Sequence, residues 1–426
     1  MNSNVQVSLD TVAQLVSTKV PVSMLQQKPY ISTENMFQNL RGMIAAEQPA
    51  TGRVNEFRPS DTLFSNIRPY FRKVYYARNH GGCSADVLVF RSKNPSTFEP
   101  AYLYYCLANP AFIDYAMATS KGAKMPRGDK EAMKRYKVSM PSIEEQKRVV
   151  KLLRGIDDLI EGLRAQNTAL ESIVRTIFCS WFLKFEPVHI KSEGKVPEVF
   201  SEEILALFPE EFEGSKLGLI PKGWRAGRLS ELCKINPESW TTSSHPEKIK
   251  YIDLSGLKKN VLISAEDYAY QDAPSRARRV LRRGDTLFGT VRPGNLSYGY
   301  IGSDEPGLTG STGFALLRPT ESWVAEFVYC SASHKDNIER LVRLADGAAY
   351  PAVNPEVVHQ QEVVIPSEAT LKAFHNKAEP LFTCLENNNS LMLSLVSLRD
   401  LLIPRLVSGK MLAEEVAALV EEAIPA

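Results

Sequence analysis

The side chains in this sequence best suited to chemistry are cations at loop positions, and the chemistry they suit is contact with a polyanion. Arg68 and Arg292 each stand immediately before a proline, in IRP (67–69) and VRP (291–293). Proline lacks an amide donor and restricts the residue before it, so the chain turns outward there and the arginine can point away from a core. Such an arginine can bind a phosphate or the edge of a guanine. Residues 121–137 hold seven basic and two acidic residues, and 276–292 hold six arginines and one acid. Two proline-containing loops, 121–127 and 347–353, form the second pair of candidates. The contact residues expected are Asn66, Arg68, Arg72, Lys73, Lys121, Lys124 and Arg127, and then Arg278, Arg279, Thr290, Arg292, Asn295 and Tyr350. Positions alike in both sets suit the phosphate backbone, which is common to all sequences. Positions that differ suit base reading: Asn66 against Thr290, Lys124 against Tyr350, Arg127 against Ala352. The competing readings are a structural ion pair for each arginine and a solvated basic face for each run.

Catalytic and metal-binding patterns are missing from the sequence. It has no GxxxxGK[ST] phosphate loop, no FxGxG-type loop for S-adenosylmethionine, no [DN]PP[YF] tetrapeptide and no HExxH pair. Glu193-Gly194-Lys195 has a nuclease-like spacing but no upstream acidic partner. Six scattered cysteines without CxxC spacing read as reduced thiols of a cytosolic protein and argue against structural zinc. No run of 18 apolar residues occurs, so no membrane span is expected, and residues 1–19 do not read as a signal peptide. The net charge of +2 excludes a generic basic coat; the local distribution of charge carries the information.

The elements that must position these cations come in two copies. DTLFSNIRP (61–69) recurs as DTLFGTVRP (285–293), SADVLVFR (84–91) as STGFALLR (311–318), and YC (105–106) as YC (329–330). GAKMP (122–126) recurs as GAAYP (347–351), and VSMPS (138–142) as VVIPS (363–367). The offsets stay between 224 and 227 through all five blocks, which chance similarity would not do.

Each copy begins as an α+β domain, with short β-branched and aromatic runs and helical patterns such as 99–117. A long helix follows. Ser142 is its expected N-cap, with Glu145 completing a capping box. From Val149 apolar positions recur in steps of four and three through Leu153, Ile156, Ile160, Leu163, Asn167, Leu170, Val174, Ile177 and Trp181. The second copy repeats the seam from Phe374 to Leu406, with Arg399 breaking the apolar rule and Pro404 expected to end or kink the helix. This is a coiled-coil pattern, and an antiparallel pairing would bring the single polar layers Asn167 and Asn388 together to fix register. The alternative is two amphipathic helices buried separately. The expected order is a first α+β domain (1–141), a long helix (142–186), a linker (187–221), a second α+β domain (222–366), a second long helix (367–410) and an acidic tail (411–426). The fold class is α+β, with two similar domains separated by two long antiparallel coiled-coil helices in a pseudo-twofold internal repeat.

This arrangement resembles the specificity subunit of type I restriction–modification systems. The resemblance rests on DTLFSNIRPY (61–70), RRGDTLFGTVRP (282–293), PSIEEQKRVVKLLRGIDDLI (141–160), RTIFCSWF (175–182), LGLIPKGW (217–224) and SLRDLLIPRLVSGK (397–410), and covers essentially the whole chain. Two departures are mild: the first domain lacks its own PxGW opening, and the second helix begins Ala369-Thr370-Leu371 in place of EEQ. The resemblance implies a non-catalytic cytoplasmic protein that binds double-stranded DNA at a split, asymmetric site, with 1–141 and 222–366 as its target-recognition domains. It implies two modification subunits carrying S-adenosylmethionine, and two restriction subunits that use ATP and Mg. Arg148, Lys151, Arg154 and Arg164 are the helix residues expected to dock partners. A helix of about forty residues spans roughly 60 Å, and half-sites on one face of DNA lie about 34–36 Å apart or multiples of that, so the helices would act as a ruler. Two other readings stand beside this one: a restriction–methyltransferase fusion fragment or nuclease, and a coiled-coil adaptor without a DNA role.

Overall fold

The structure is a computed structural model. It describes all residues except 1–4, 26, 44, 50, 195–199, 348–350, 417 and 419–426. The chain forms two compact units: one comprises 1–161 and 393–426, the other 162–392.

In the first unit the DTLF segment is the strand Thr62–Ser65 of a four-stranded sheet ordered Ala13–Val16, Val87–Ser92, Thr62–Ser65, Val74–Tyr76. The second unit repeats that order with Cys233–Ile235, Phe314–Pro319, Thr286–Gly289 and Tyr298–Tyr300. In each, all three pairings are antiparallel. The strand leading into each long helix also pairs in the same way. Lys137–Met140 pairs with Val5–Ser8, and Glu362–Ile365 pairs with Arg225–Arg228.

A second four-stranded sheet in each unit is where the copies diverge. Three strands correspond: Arg53–Phe57, Gly81–Cys83 and Tyr30–Ile31 match Ala277–Val280, Leu308–Ser311 and Lys248–Ile252, with the same senses. The fourth strand adds at opposite edges, Lys19–Pro21 beside Arg53–Phe57 in the first unit and Glu266–Ala269 beside Lys248–Ile252 in the second.

The motif aspartate anchors each sheet. Asp61 is fully buried, accepts the Arg58 amide at 2.7 Å, and is gripped by Arg91 through Nε and a terminal nitrogen, each at 2.7 Å. Asp285 repeats this with the Arg282 amide at 2.8 Å and with Arg318 at 2.9 and 2.8 Å. A buried carboxylate is tolerable only when paired and hydrogen-bonded in this way.

The helical pattern of 99–117 is two helices, Pro100–Ala108 and Pro110–Ala118. Pro110 cannot continue the first, and the Asn109 side chain caps the second at the Ala111 amide, 3.1 Å away.

The long helices are Ile143–Phe178, prolonged by a π-helical turn Cys179–Leu183, and Glu368–Val407. They pair antiparallel within each unit. In the second unit Asn167 meets Asn388 while Phe178 meets Phe374. In the first, Asp157 meets Arg399 and the Glu145 carboxylate accepts the Ala413 amide at 2.9 Å. Three sequence expectations are corrected here. Pro404 does not end its helix, because one lost amide bond is outweighed by burial of Leu402, Ile403, Leu406 and Val407 around it. The capping box is half-formed: Ser142 Oγ accepts the Glu145 amide at 3.3 Å, but the Glu145 carboxylate serves Ala413. The segment 187–221 is not a free linker, since it carries the helices Glu186–Ser192 and Glu202–Ala206 and the hairpin Phe212–Ser215 with Gly218–Pro221. Val188 and Phe208 are buried there in the aromatic core of the second unit with Trp181, Trp224 and Phe374.

Arg399, out of place in an apolar seam, is 1% exposed and bound to Asp157 at 2.9 Å and Asp400 at 3.1 Å. Within the second unit Arg175, 224 residues earlier, lies over the rings of Tyr298 and Tyr329 and holds Glu171 at 2.7 Å.

Candidate nucleic-acid interface

Arg68 and Arg292 adopt the same unusual backbone. Their φ,ψ angles are 50°, 64° and 50°, 66°, in the left-handed region, and not the extended region favoured before proline. Each begins a one-turn 3-10 helix, Pro69–Phe71 or Pro293–Asn295, whose far end, Arg72 or Leu296, is left-handed again. A non-glycine residue there is strained by roughly 1–2 kcal/mol, so something outside the turn must hold it.

That restraint is the proline loop, which joins the two candidate loops of each unit into one structure. The Arg68 amide donates to the Pro126 carbonyl at 2.8 Å, and the Arg292 amide to the Pro351 carbonyl at 2.7 Å. Bridges Ile67↔Arg127 and Val291↔Ala352 flank these bonds, and Lys121↔Arg127 and Asp346↔Ala352 close each loop on itself. The Gly128 amide reaches the Asn66 carbonyl at 3.2 Å, as the Val353 amide reaches the Thr290 carbonyl at 3.0 Å. The structure thus places the arginine turn beside the basic loop in the first unit, and its counterpart beside 351–353 in the second.

The candidate side chains then sort by what they touch. Lys124 is exposed beside the exposed Met125, and Arg292 and Asn295 are exposed. Lys121 is 82% exposed and pairs with Asp129 at 2.7 Å. Arg127 is half-exposed and pairs loosely with Asp86 at 3.3 Å. Surface pairs of this kind are worth at most about 1 kcal/mol, so a phosphate can displace them. Arg68 is half-buried, and its Nε is buried without a hydrogen-bond partner.

Four candidates are turned inward, and for them the surface placement expected from sequence is corrected. Arg72 binds Asp400 at 2.8 Å and is a brace. Lys73 donates to the Thr33 carbonyl at 2.7 Å, and burial pulls its pKa below the ordinary lysine value. Asn66 is buried at 6% exposure under the loop, close to Gly128. Thr290 is 5% exposed and spends its hydroxyl on the Gly313 carbonyl at 2.8 Å. Both residues follow a fully buried strand, so the chain has not yet reached the surface. Tyr350 lies outside the described residues.

The arginine run of the second unit also divides. Arg282 pairs with Glu238 and Arg283 with Glu379. Arg276, Arg278 and Arg279 have no carboxylate partner among the described residues. Arg276 is exposed, while Arg278 and Arg279 are half-buried, and burial lowers the Arg279 pKa. Sequence reasoning did not single out the exposed Arg276, the exposed Tyr70 two residues after Arg68, or the Tyr270 ring under Arg278. An aromatic directly after IRP was a usable signal for Tyr70; the Tyr270 contact had none.

Of the helix residues, Arg148 pairs with Glu145 and Glu414, Arg154 lies over the Tyr76 ring and Lys151 is exposed. Among the described residues no group of three His, Cys, Asp or Glu side chains could hold a metal ion. No described helix is long and apolar enough to cross a membrane.

Known proteins similar to this chain share one description. Residues 7–172 match the family model described as the type I restriction modification DNA specificity domain. The chain is 27% identical over 323 residues to the type I restriction enzyme MjaIX specificity subunit of Methanocaldococcus jannaschii, covering 74% of this chain and 69% of that protein. It is 21% identical over 460 residues to the HindI specificity subunit of Haemophilus influenzae, covering 95% and 98%. The crystal structure of a type I restriction-modification S subunit from M. genitalium shares the fold, with a TM-score of 0.51 at 14% identity over 96% of this chain and 97% of that one.

Proposed function

Because the chain is similar to the specificity subunits of type I restriction–modification enzymes, we propose that it is one of them, that it reads a bipartite, asymmetric DNA site, and that it directs adenine methylation or restriction there by partner subunits, without a catalytic step of its own. The observation that carries this reading is the duplicated grip: a strained arginine turn pinned to a proline loop, built alike in both units. Two copies of one grip suit two half-sites. Their different side chains at equivalent positions, Lys124 and Arg127 in one loop against Tyr350 and Ala352 in the other, suit different bases.

The partners in this reading are double-stranded DNA, two modification subunits and two restriction subunits. S-adenosylmethionine, ATP and Mg belong to those subunits, and the complex works in the cytoplasm, where the genome lies. The exposed cations of the two grips neutralise phosphates, so binding should weaken steeply with salt.

The test is co-expression of the chain with its modification subunit, sequencing of methylated adenines in the host, and a salt series of DNA binding. A split methylated motif, and a loss of salt slope of about one per arginine removed in Arg68→Ala and Arg292→Ala, are expected. Unchanged affinity and slope in both variants would remove the grips from the interface.

A further inference from the structure

We propose that Arg278 is a guanine-reading residue of the second unit, and that Tyr270 and His245 are positioning residues that hold it for that task. The inference rests on the DNA-recognition reading above and assigns one base contact within it.

The argument starts from a β-bulge. The strand Ala277–Val280 pairs with Leu308–Ser311, but its register slips between Ala277, opposite Ser311, and Arg279, opposite Gly310. Arg278 is the extra residue. A bulge frees one residue from the alternation of a strand and re-aims its side chain. Here the Arg278 guanidinium lies over the Tyr270 ring, 4.9 Å from its centre. The His245 ring stacks on the same tyrosine, with centroids 3.8 Å apart and planes 8° from parallel. Tyr270 is 8% exposed and His245 is exposed, so the stack runs from core to surface. One guanidinium nitrogen donates to the Ala277 carbonyl at 2.9 Å.

A guanidinium held over a ring and tied to the Ala277 carbonyl is restrained in position, and its remaining donors stay available. That matches bidentate binding to O6 and N7 of guanine, which needs a planar pair of donors; a phosphate needs only a charge nearby. Arg278 has no carboxylate partner among the described residues, unlike Arg282, Arg283 and Arg318.

The bulge also continues into the grip. The Thr312 amide donates to the Arg276 carbonyl at 2.8 Å, and the next carbonyl, Gly313, accepts both the amide and the hydroxyl of Thr290, two residues before Arg292. Among its described residues the first unit shows no equivalent bulge. Its strand Arg53–Phe57 pairs with Gly81–Cys83 without a bulge, and Val54, buried at 8% exposure, stands 224 residues before Arg278 in the corresponding place. The two half-sites are therefore read by different means.

The experiment uses the full chain in complex with its modification subunit. Exchanging residues 222–366 for those of a relative first identifies which half-site the second unit reads. Arg278→Lys, His245→Ala and Tyr270→Leu are then compared by methylated-motif sequencing and by binding to single-base variants of the site. Arg278→Lys should relax one guanine in that half-site by roughly five- to a hundredfold and leave the other half-site intact. His245→Ala, at an exposed position, should relax the same guanine by a smaller factor, so the inference survives even where Tyr270→Leu fails to fold. A uniform loss of affinity on all sequences, an unchanged motif, or a half-site without guanine would each overturn it. Absence of any split motif with the unaltered chain would instead overturn the DNA-recognition reading itself.

Discussion

Asn388 donates from Nδ2 to Asn167 Oδ1 at 2.8 Å, between two residues each 9% exposed in the seam of the long helices. Asn167 in turn donates to Asn389 at 2.9 Å, and Asn388 also reaches Gln166. The polar layer is thus satisfied from both helices. Changing Asn388 alone to Leu should cost about 1–3 kcal/mol, because Asn167 keeps a buried acceptor without its donor. The double change Asn167→Leu with Asn388→Leu should recover most of that loss but loosen register. A urea double-mutant cycle reads the first effect, and cross-linking of cysteine pairs along the helices reads the second.

Arg68 is held in the left-handed region at a roughly 1–2 kcal/mol cost, and Arg292 repeats it. Glycine would relieve this strain but loses more backbone freedom on folding. Arg68→Gly should therefore raise stability by up to about 1 kcal/mol while weakening DNA binding and lowering its salt slope. Denaturation and gel shift on the same protein would show the two effects moving in opposite directions; a loss in both would mean the arginine is only a structural strut.

Thr290 offers a control. Its hydroxyl already serves the Gly313 carbonyl, so Thr290→Val should cost about 0.5–1.5 kcal/mol and leave the methylated motif unchanged. A changed base at any position would return Thr290 to the reading surface.

Asp61 and Asp285 perform the same anchoring task with unequal support. Arg318 keeps Glu238 at 2.9 Å when Asp285 is changed, whereas Arg91 has Asp61 as its ion-pair partner. Breaking a buried pair costs roughly 3–5 kcal/mol. Asp61→Asn should lie at the upper end of that range and Asp285→Asn at the lower, as read from chemical denaturation midpoints.

Asp129 ties the basic loop down. Its bond to Lys121 and its capping of the Ala132 and Glu131 amides hold its pKa at about 2, below the usual carboxylate range. A depressed carboxylate contributes fully above its unfolded pKa and loses that contribution as pH falls through the folded value. The cap on Lys130–Arg135 should therefore survive at pH 4 and be lost towards pH 2, and sooner in high salt, because Lys121 is exposed. Amide exchange of residues 130–135 along a pH series checks this.

Much of the architecture was legible in the sequence because it rests on periodicity and repetition. The step of four and three from Val149 onward marks a seam whatever the partner is, and a block of nine residues recurring 224 positions later marks a second domain. The interruptions were harder. Pro404 breaks a rule of isolated helices, but Leu402, Ile403 and Leu406 are buried around it, and that burial belongs to tertiary packing. The segment 187–221 is polar in much of its composition, yet Val188 and Phe208 are buried in the core of the second unit, with Phe200, Ile204, Leu207 and Phe212 packed against it.

For the candidate interface, the sequence by itself determined which segments carry cations and that they come in corresponding pairs, because charge and order are properties of the chain. It could not determine which cations face outward. Arg68 and Arg72 flank one short turn, four positions apart, yet Arg72 is claimed by Asp400, 328 residues away. Arg399 looked like a flaw in a seam until Asp157, 242 residues earlier, was seen to hold it. The union of the arginine turn with the proline loop was equally unreadable, since it is made by backbone amides and carbonyls that every residue type shares. Tertiary structure decided these points because a side chain's availability depends on the groups packed beside it, and those come from anywhere in the chain.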